Sequence, residues 1–443
     1  MPELGQEAGT ATFPVLVIGD SGGPHVRSRA LAMAWLGYEI HTVTPRPSGV
    51  VELNEIGPVA SRFGNTPFLS LFNPAAALLD LWRRIRKSAG EIVHIHYASS
   101  LGAWLFVASG DRRPLIVSVM GGDILFDEQG DLSAPARWLT RQVLRRADFV
   151  TAKSEYLVDR LVALGVRRER IGKILWGVDT DLFRPASDGG GRKAAPGATG
   201  DGPMIFSPRI LKRFYRTDVI LSALPAVLAR YPNARLIIAE YESDPVYKRE
   251  IESLAHALGV ADSVAFAGVI PHERMPKFYN AADVVVGIPP SDAFPQTVLE
   301  AMACGRPNIV SRLSRYSEIL VDRESALFVD PTAEGVAAGI IELTQDRELA
   351  ARISRNGVAI AREKAELARE AVKVSSIYQR LRRSQSRGPL PWAARAAAKA
   401  ILCGLAARDA LRAACCGWRT DGMALNDANT PLVTRSLKEG GVE

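Results

Sequence analysis

Pro14-Val15-Leu16-Val17-Ile18-Gly19 opens the pattern that decides the fold. It is a short apolar run closed by glycine, the composition of a parallel strand buried on both faces. Asp20-Ser21-Gly22-Gly23 reads as a loop, His25 to Trp35 as a helix and Gly37 as its stop. Tyr38 to Thr44 alternates as the next strand, which completes a strand–helix–strand unit. Working outward, further strands are predicted at Ile92–His96, Leu115–Met120 and Phe149–Ala152. Helical sequence follows each, so the first half reads as an open α/β sheet.

Phe183-Arg184-Pro185 closes that half. Residues 186–203 are rich in Gly, Ala, Asp and Pro and carry almost no large apolar side chain, which is linker composition. The strand pattern restarts at Met204-Ile205-Phe206 and continues at Leu236–Ala239, Val264–Ala267, Val284–Ile288 and Asn308–Ser311. Helices are expected between them, notably Val219–Arg230 and Thr297–Cys304, and from Thr332 to Arg383. The chain of 443 residues is too long for one ordinary core. The reading is two α/β domains in tandem facing a cleft: 1–185, a linker 186–203, 204–383, and a basic Ala-rich tail 384–443 that is partly disordered.

Composition narrows the function classes. The net charge of +7 suits an anionic ligand or surface without choosing among nucleotide, nucleic acid and membrane. Met1 to Thr12 lacks the basic start and apolar run of a secretory signal. No apolar stretch reaches about 18 residues, so no spanning helix is predicted and a cytoplasmic location fits. Cys304, Cys403, Cys415 and Cys416 form no CxxC pair, which argues against a zinc site or a disulfide scaffold.

The densest chemistry lies in Ser291-Asp292-Ala293-Phe294-Pro295-Gln296-Thr297-Val298-Leu299-Glu300-Ala301-Met302-Ala303-Cys304-Gly305. A strand ends at Ile288, a polar loop follows and a helix begins near Thr297. The N-terminus of a helix offers free N–H groups and partial positive charge, which suit phosphate oxygens. Asp292 and Glu300 can accept hydrogen bonds from sugar hydroxyls, although a helix cap and an arginine partner are the simpler readings of isolated carboxylates. Upstream, Arg209, Lys212, Arg213 and Arg216 crowd the loop after the first strand of the second half, where a guanidinium fork matches phosphate.

The whole string resembles the signature of the family-4 retaining glycosyltransferases of the GT-B fold, and the resemblance extends from about Val15 to Leu381. It implies two Rossmann-like domains, a nucleotide-diphosphate sugar (UDP- or GDP-linked) as donor, and a glycan or lipid-linked acceptor. Glu300 is then the ribose ligand and Asp292 lies near the transferred sugar. The backbone of Phe294, Pro295, Gln296 and Thr297 holds sugar and phosphate. Arg209 grips the diphosphate, helped by Lys212. The turn after Gly268, at Val269 and Ile270, meets the base. Gly22 and Gly23 let the first domain approach the donor closely. His96, at a strand end, is the candidate from that domain near the reacting groups. Three positions depart from the pattern: Asp292 stands where Glu is usual, Phe214 where a phosphate-binding Lys is usual, and Met120 where many relatives have His.

His94 and His96 flank one strand residue and are expected on opposite faces, a poor metal pair. Asp179-Thr180-Asp181 looks like a DxD metal motif but sits in the segment closing the first domain, so no metal and no other cofactor is implied. The family mechanism retains configuration through same-face attack, with the leaving phosphate helping to deprotonate the acceptor and no protein nucleophile. The tail, with Arg395, Lys399, Arg408 and Arg412, either rests on an anionic membrane or packs on the enzyme. No nucleic acid partner is implied. Two rival readings stay open: a sugar-nucleotide epimerase or phosphorylase, and a non-catalytic nucleotide-sugar-binding partner of another transferase.

Overall fold

The computed structural model describes residues 12–56, 74–126, 132–186 and 202–417. Most of the expected linker, 187–201, and the chain end after 417 lie outside them. The first sheet is built from β1 (Val15–Ile18), β2 (Ile40–Val43), β3 (Leu53–Ile56), β4 (Ile92–His96), β5 (Leu115–Ser118), β6 (Phe149–Ala152) and β7 (Ile171–Lys173). The second is built from β8 (Met204–Ser207), β9 (Arg235–Ile238), β10 (Val264–Phe266), β11 (Val284–Gly287), β12 (Asn308–Ser311) and β13 (Leu327–Val329). Their orders are β3-β2-β1-β4-β5-β6-β7 and β10-β9-β8-β11-β12-β13. Every pairing between these strands is parallel.

Each order reverses once, between β1 and β4 and between β8 and β11. Open α/β sheets bind ligands outside the carboxyl ends of the strands at that reversal. The local sequence explains the geometry. Val15, Leu16, Val17 and Ile18 are at most 2% exposed, because helices cover both faces of the strand. Burial of each such side chain contributes about 1.5–3 kcal/mol. The helix Pro24–Trp35 starts with proline in its first turn and is followed by Gly37 at φ +90°.

Two carboxyl-terminal helices pack on the first domain. Leu367, Ala371, Val374, Tyr378 and Leu381 recur at helical spacing on helix Leu367–Arg383 and share a core with Phe13, Val15, Val17 and Tyr38. The sequence reading had grouped this helix with 204–383. The chain returns to the first domain where Val178 and Glu366 bridge. A buried ion pair fixes the return: Arg29 Nε lies 2.9 Å from Glu370 Oε1, each side chain being 6% exposed.

The Ala-rich start of the tail forms helix Trp392–Gly417, as its alanine content favours, while the end expected to be disordered, 419–443, lies outside the described residues. It buries Ala398 and Leu402 against a core that includes Ile85, Leu105 and Phe106. No described helix is long and apolar enough to cross a membrane.

Candidate functional site

Arg209 stands two residues past β8, and Asp292 in the loop after β11, so the reversal of the second sheet brings them together. Arg209 Nη2 donates to Asp292 Oδ2 at 2.6 Å, and Nη1 to Thr297 Oγ1 at 3.3 Å. The guanidinium also lies 4.6 Å from the centre of the Tyr215 ring. Burial is the largest single effect and works against its charge, but the Asp292 carboxylate, together with Tyr215 and Tyr316, outweighs it and raises its pKa. Pro208, Arg209, Gly287, Pro295 and Thr297 line a small recess at this point.

The helix Gln296–Ala303 opens into the same place. Pro295 is its N-cap and no side chain caps it, which leaves first-turn amides for a ligand. The preceding residue, Phe294, is buried at φ +93°, a conformation rare for a large side chain. Its ring packs edge-on to Tyr316 with centres 5.8 Å apart. The amide of Gln296 is committed elsewhere: its Nε2 donates to the Gly177 carbonyl at 2.6 Å. Its side-chain nitrogen is thus held at Gly177 while its backbone stays at the helix start.

One turn further, Glu300 is 4% exposed. Tyr279 Oη donates to its Oε2 at 2.8 Å, and His272 Nε2 lies 3.2 Å from its Oε1. Burial first, and Glu300 second, push the Tyr279 phenol well above its ordinary pKa, so it stays a donor. The neighbouring turn has Gly268 at φ +67°, with its N–H donating to Glu240 Oε2 at 2.8 Å. Val269 after it is 67% exposed while Ile270 is 9% exposed and joins the core. Of this pair, Val269 is the one on the surface.

On the first domain, the Gly22 N–H donates to the Arg46 carbonyl at 2.6 Å. A Cβ on Gly22 would lie 2.8 Å from that oxygen, and one on Gly23 3.6 Å from Tyr241 Oη of the other domain. Gly121, at φ +121°, leaves its Cβ position 3.0 Å from Ala293, so the loops of the two domains touch beside Asp292. Asp123 holds that floor together. It is fully buried and accepts the N–H groups of Met120, Gly121 and Ala98.

His94 and His96 are not on opposite faces. Their rings stack with centres 4.2 Å apart, because residues two apart on a strand share a face. His94 is bonded to Tyr378 and Ser118 at 2.6 and 2.8 Å. His96 is 2% exposed, and its Nδ1 has no hydrogen-bond partner among the described residues. Both line a small pocket with Arg29, Glu370 and Tyr378. Burial pushes the His94 imidazole down to about 3 and His96 well below its ordinary value, so both are neutral.

Two other basic side chains after β8 pair with carboxylates. Lys212, 48% exposed, lies 3.7 Å from Glu242, and Arg213 pairs with Glu250. Asp179 Oδ1 accepts the N–H groups of Asp181 and Leu182 and so shapes a turn. Sequence reasoning missed His272, Tyr215 and Lys153. His272 had a weak signal, as a polar residue two positions after Ile270.

Two family models match this chain: "Glycosyl transferase 4-like domain" over residues 22–172 and "Glycosyl transferases group 1" over residues 192–359. It is 30% identical over 246 residues to D-inositol 3-phosphate glycosyltransferase of Acidothermus cellulolyticus, covering 53% of this chain and 54% of that one. It is 26% identical to mannosylfructose-phosphate synthase of Agrobacterium fabrum, covering 61% of this chain and 60% of that one. The matched stretches thus span only 54% and 60% of these two relatives' own length. The fold is similar to that of Anabaena Alr3699/HepE in complex with UDP and glucose, with a TM-score of 0.68 at 18% identity, over 83% of this chain and 100% of that one. The chain belongs to the GT-B glycosyltransferases, related to the group 1 and 4-like families that its two halves match.

Proposed function

We propose that the protein transfers a sugar from a nucleotide diphosphate to an acceptor, with retention of configuration. The observation that carries this is the cluster at the reversal of the second sheet. Arg209 is held by Asp292 and Thr297 beside an uncapped helix start, with the buried Glu300 carboxylate one turn beyond. A cation and free amides suit the diphosphate, and a buried acceptor suits ribose hydroxyls. A fixed guanidinium stabilises charge developing on the leaving diphosphate without reorganisation. Similarity to a protein whose structure holds UDP and glucose supports the same assignment.

The acceptor on this reading is a glycan or a lipid-linked saccharide, and the first domain contacts an anionic membrane peripherally. In support, Trp392 is 76% exposed, and Lys399, Arg83, Arg86 and Lys87 are exposed on two helices that share one core. Flotation with phosphatidylglycerol vesicles tests the contact, and full-length protein that stays unbound removes it. The transfer itself is tested by incubating the chain with UDP- and GDP-sugars and saccharide acceptors. Release of nucleoside diphosphate with an α-linked product from an α-linked donor is expected. No release from any donor, with or without acceptor, would overturn the reading.

A further inference from the structure

Strand β6 ends at Ala152, which places Lys153 at the carboxyl edge of the first sheet. The charges acting on its ammonium come from both walls of the cleft: Asp292 and Arg209 from the second domain, Arg29 and Asp123 from the first. His25 lies beside it too. The ammonium is 5.4 Å from the centre of the Trp176 ring. The neighbouring carboxylates are already engaged. Asp292 holds Arg209 at 2.6 Å, Asp123 accepts three backbone amides, and Glu370 holds Arg29 at 2.9 Å. Among the described residues Lys153 has no hydrogen bond or ion pair. A half-buried cation without a hydrogen-bond partner carries a desolvation cost until an anion joins it.

The position selects the anion. The charges of Arg209 and Asp292 reach the Lys153 ammonium from the opposite wall, and the Arg209 side already offers Thr297 and the helix amides. We infer that Lys153 is a donor-binding residue supplied by the first domain, its ammonium contacting the diphosphate that Arg209 and the start of helix Gln296–Ala303 hold. The inference rests on the nucleotide-sugar reading above. It gives the diphosphate a cation from each domain, so donor binding draws the walls together.

Burial pushes the Lys153 ammonium down to about 8, with Asp292 opposing the shift and Arg209 and Arg29 adding to it. Diphosphate affinity should therefore fall as pH rises through that value, because the neutral amine offers no charge.

The test is calorimetric titration of the full chain with UDP, GDP and ADP, then with the monophosphate of whichever base binds. Lys153→Met is expected to weaken diphosphate binding about 10- to 100-fold while monophosphate binding stays within about twofold. The wild type is expected to lose affinity for the diphosphate from about pH 7 to about pH 9, and Lys153→Arg to keep its affinity across that range. Equal diphosphate affinity in wild type and a folded Lys153→Met would overturn the inference, and so would equal weakening of both nucleotides. If Lys153→Met does not fold, a pH-dependent fall in Lys153→Arg like that of the wild type would overturn it. Wild type binding none of the nucleotides removes the donor reading and this contact together. Wild-type binding matched by Lys153→Met removes only the contact.

Discussion

Replacing Arg209 by alanine deletes a guanidinium that makes two hydrogen bonds, at 2.6 Å to Asp292 and 3.3 Å to Thr297, and stacks on Tyr215. Two consequences separate in magnitude. In the resting protein Asp292, 8% exposed, loses the cation opposite it, a cost of about 1–3 kcal/mol for a charged group left without its partner. In the reaction the diphosphate leaves without a preorganised donor, worth about 2.7–4 kcal/mol, or roughly 10²–10³ in turnover. Arg209→Lys should recover less than about tenfold of that loss, because one ammonium cannot span Asp292 and Thr297 as the fork does. The assay is steady-state release of nucleoside diphosphate at saturating donor, with the unfolding midpoint recorded to show that each variant is folded. Near-normal turnover in folded Arg209→Ala would refute the assignment of Arg209 to the leaving group.

Further outcomes follow from the same geometry. Glu370→Ala leaves Arg29 buried without its carboxylate and Gly177 N–H without its acceptor at 2.6 Å, so thermal unfolding should show a loss of about 3–5 kcal/mol; an unchanged midpoint would contradict it. His25 and His94 are pushed by burial down to about 3 from an ordinary 6.5, so the unfolded chain binds more protons between those values. Their contribution to stability is complete above about pH 6.5 and is lost as pH falls toward 3; His94→Asn should reduce the slope by about one proton, and an unaltered slope would count against it. Gly22→Ala puts a methyl 2.8 Å from the Arg46 carbonyl, and should raise the KM for donor by displacing the glycine loop; an unchanged KM would place that loop outside the donor site. Leu402→Asp, at a position 3% exposed, should undock helix Trp392–Gly417 and speed proteolysis within it, whereas wild-type cleavage rates would mean that the helix is held by other contacts.

Ten of the thirteen described strands were legible because a buried parallel strand is a short apolar run closed by a turn residue, whereas the edge strands β3, β7 and β13 were not expected. Val15–Ile18 and Val284–Gly287 are clear examples. The partner of a helix was not legible. The stripe of Leu367, Ala371, Val374 and Tyr378 announces an amphipathic helix, yet nothing in it says that the stripe faces the first sheet. Asp292, Arg209 and Thr297 were found through the resemblance of their stretches to the glycosyltransferase signature, and the structure brings these three together. Lys153 and His272 escaped because their meaning lies in contacts across long sequence distances. Lys153 reads simply as a charge after a strand, and only folding sets it near Arg209. The histidine pair was misjudged by a period error, since positions two apart share a strand face. Gln296 reads as a helix-start ligand, while its side chain ties the helix to Gly177.

The central claim is that Glu300 and Arg209 frame one nucleotide-diphosphate site. Calorimetric titration of wild type and Glu300→Gln with UDP, GDP and ADP tests it most directly. Selective binding of one nucleotide is predicted, weakened about 10- to 100-fold in the variant by loss of a charged acceptor for ribose hydroxyls. Absence of binding to all three, or equal affinity in a folded Glu300→Gln, would contradict it.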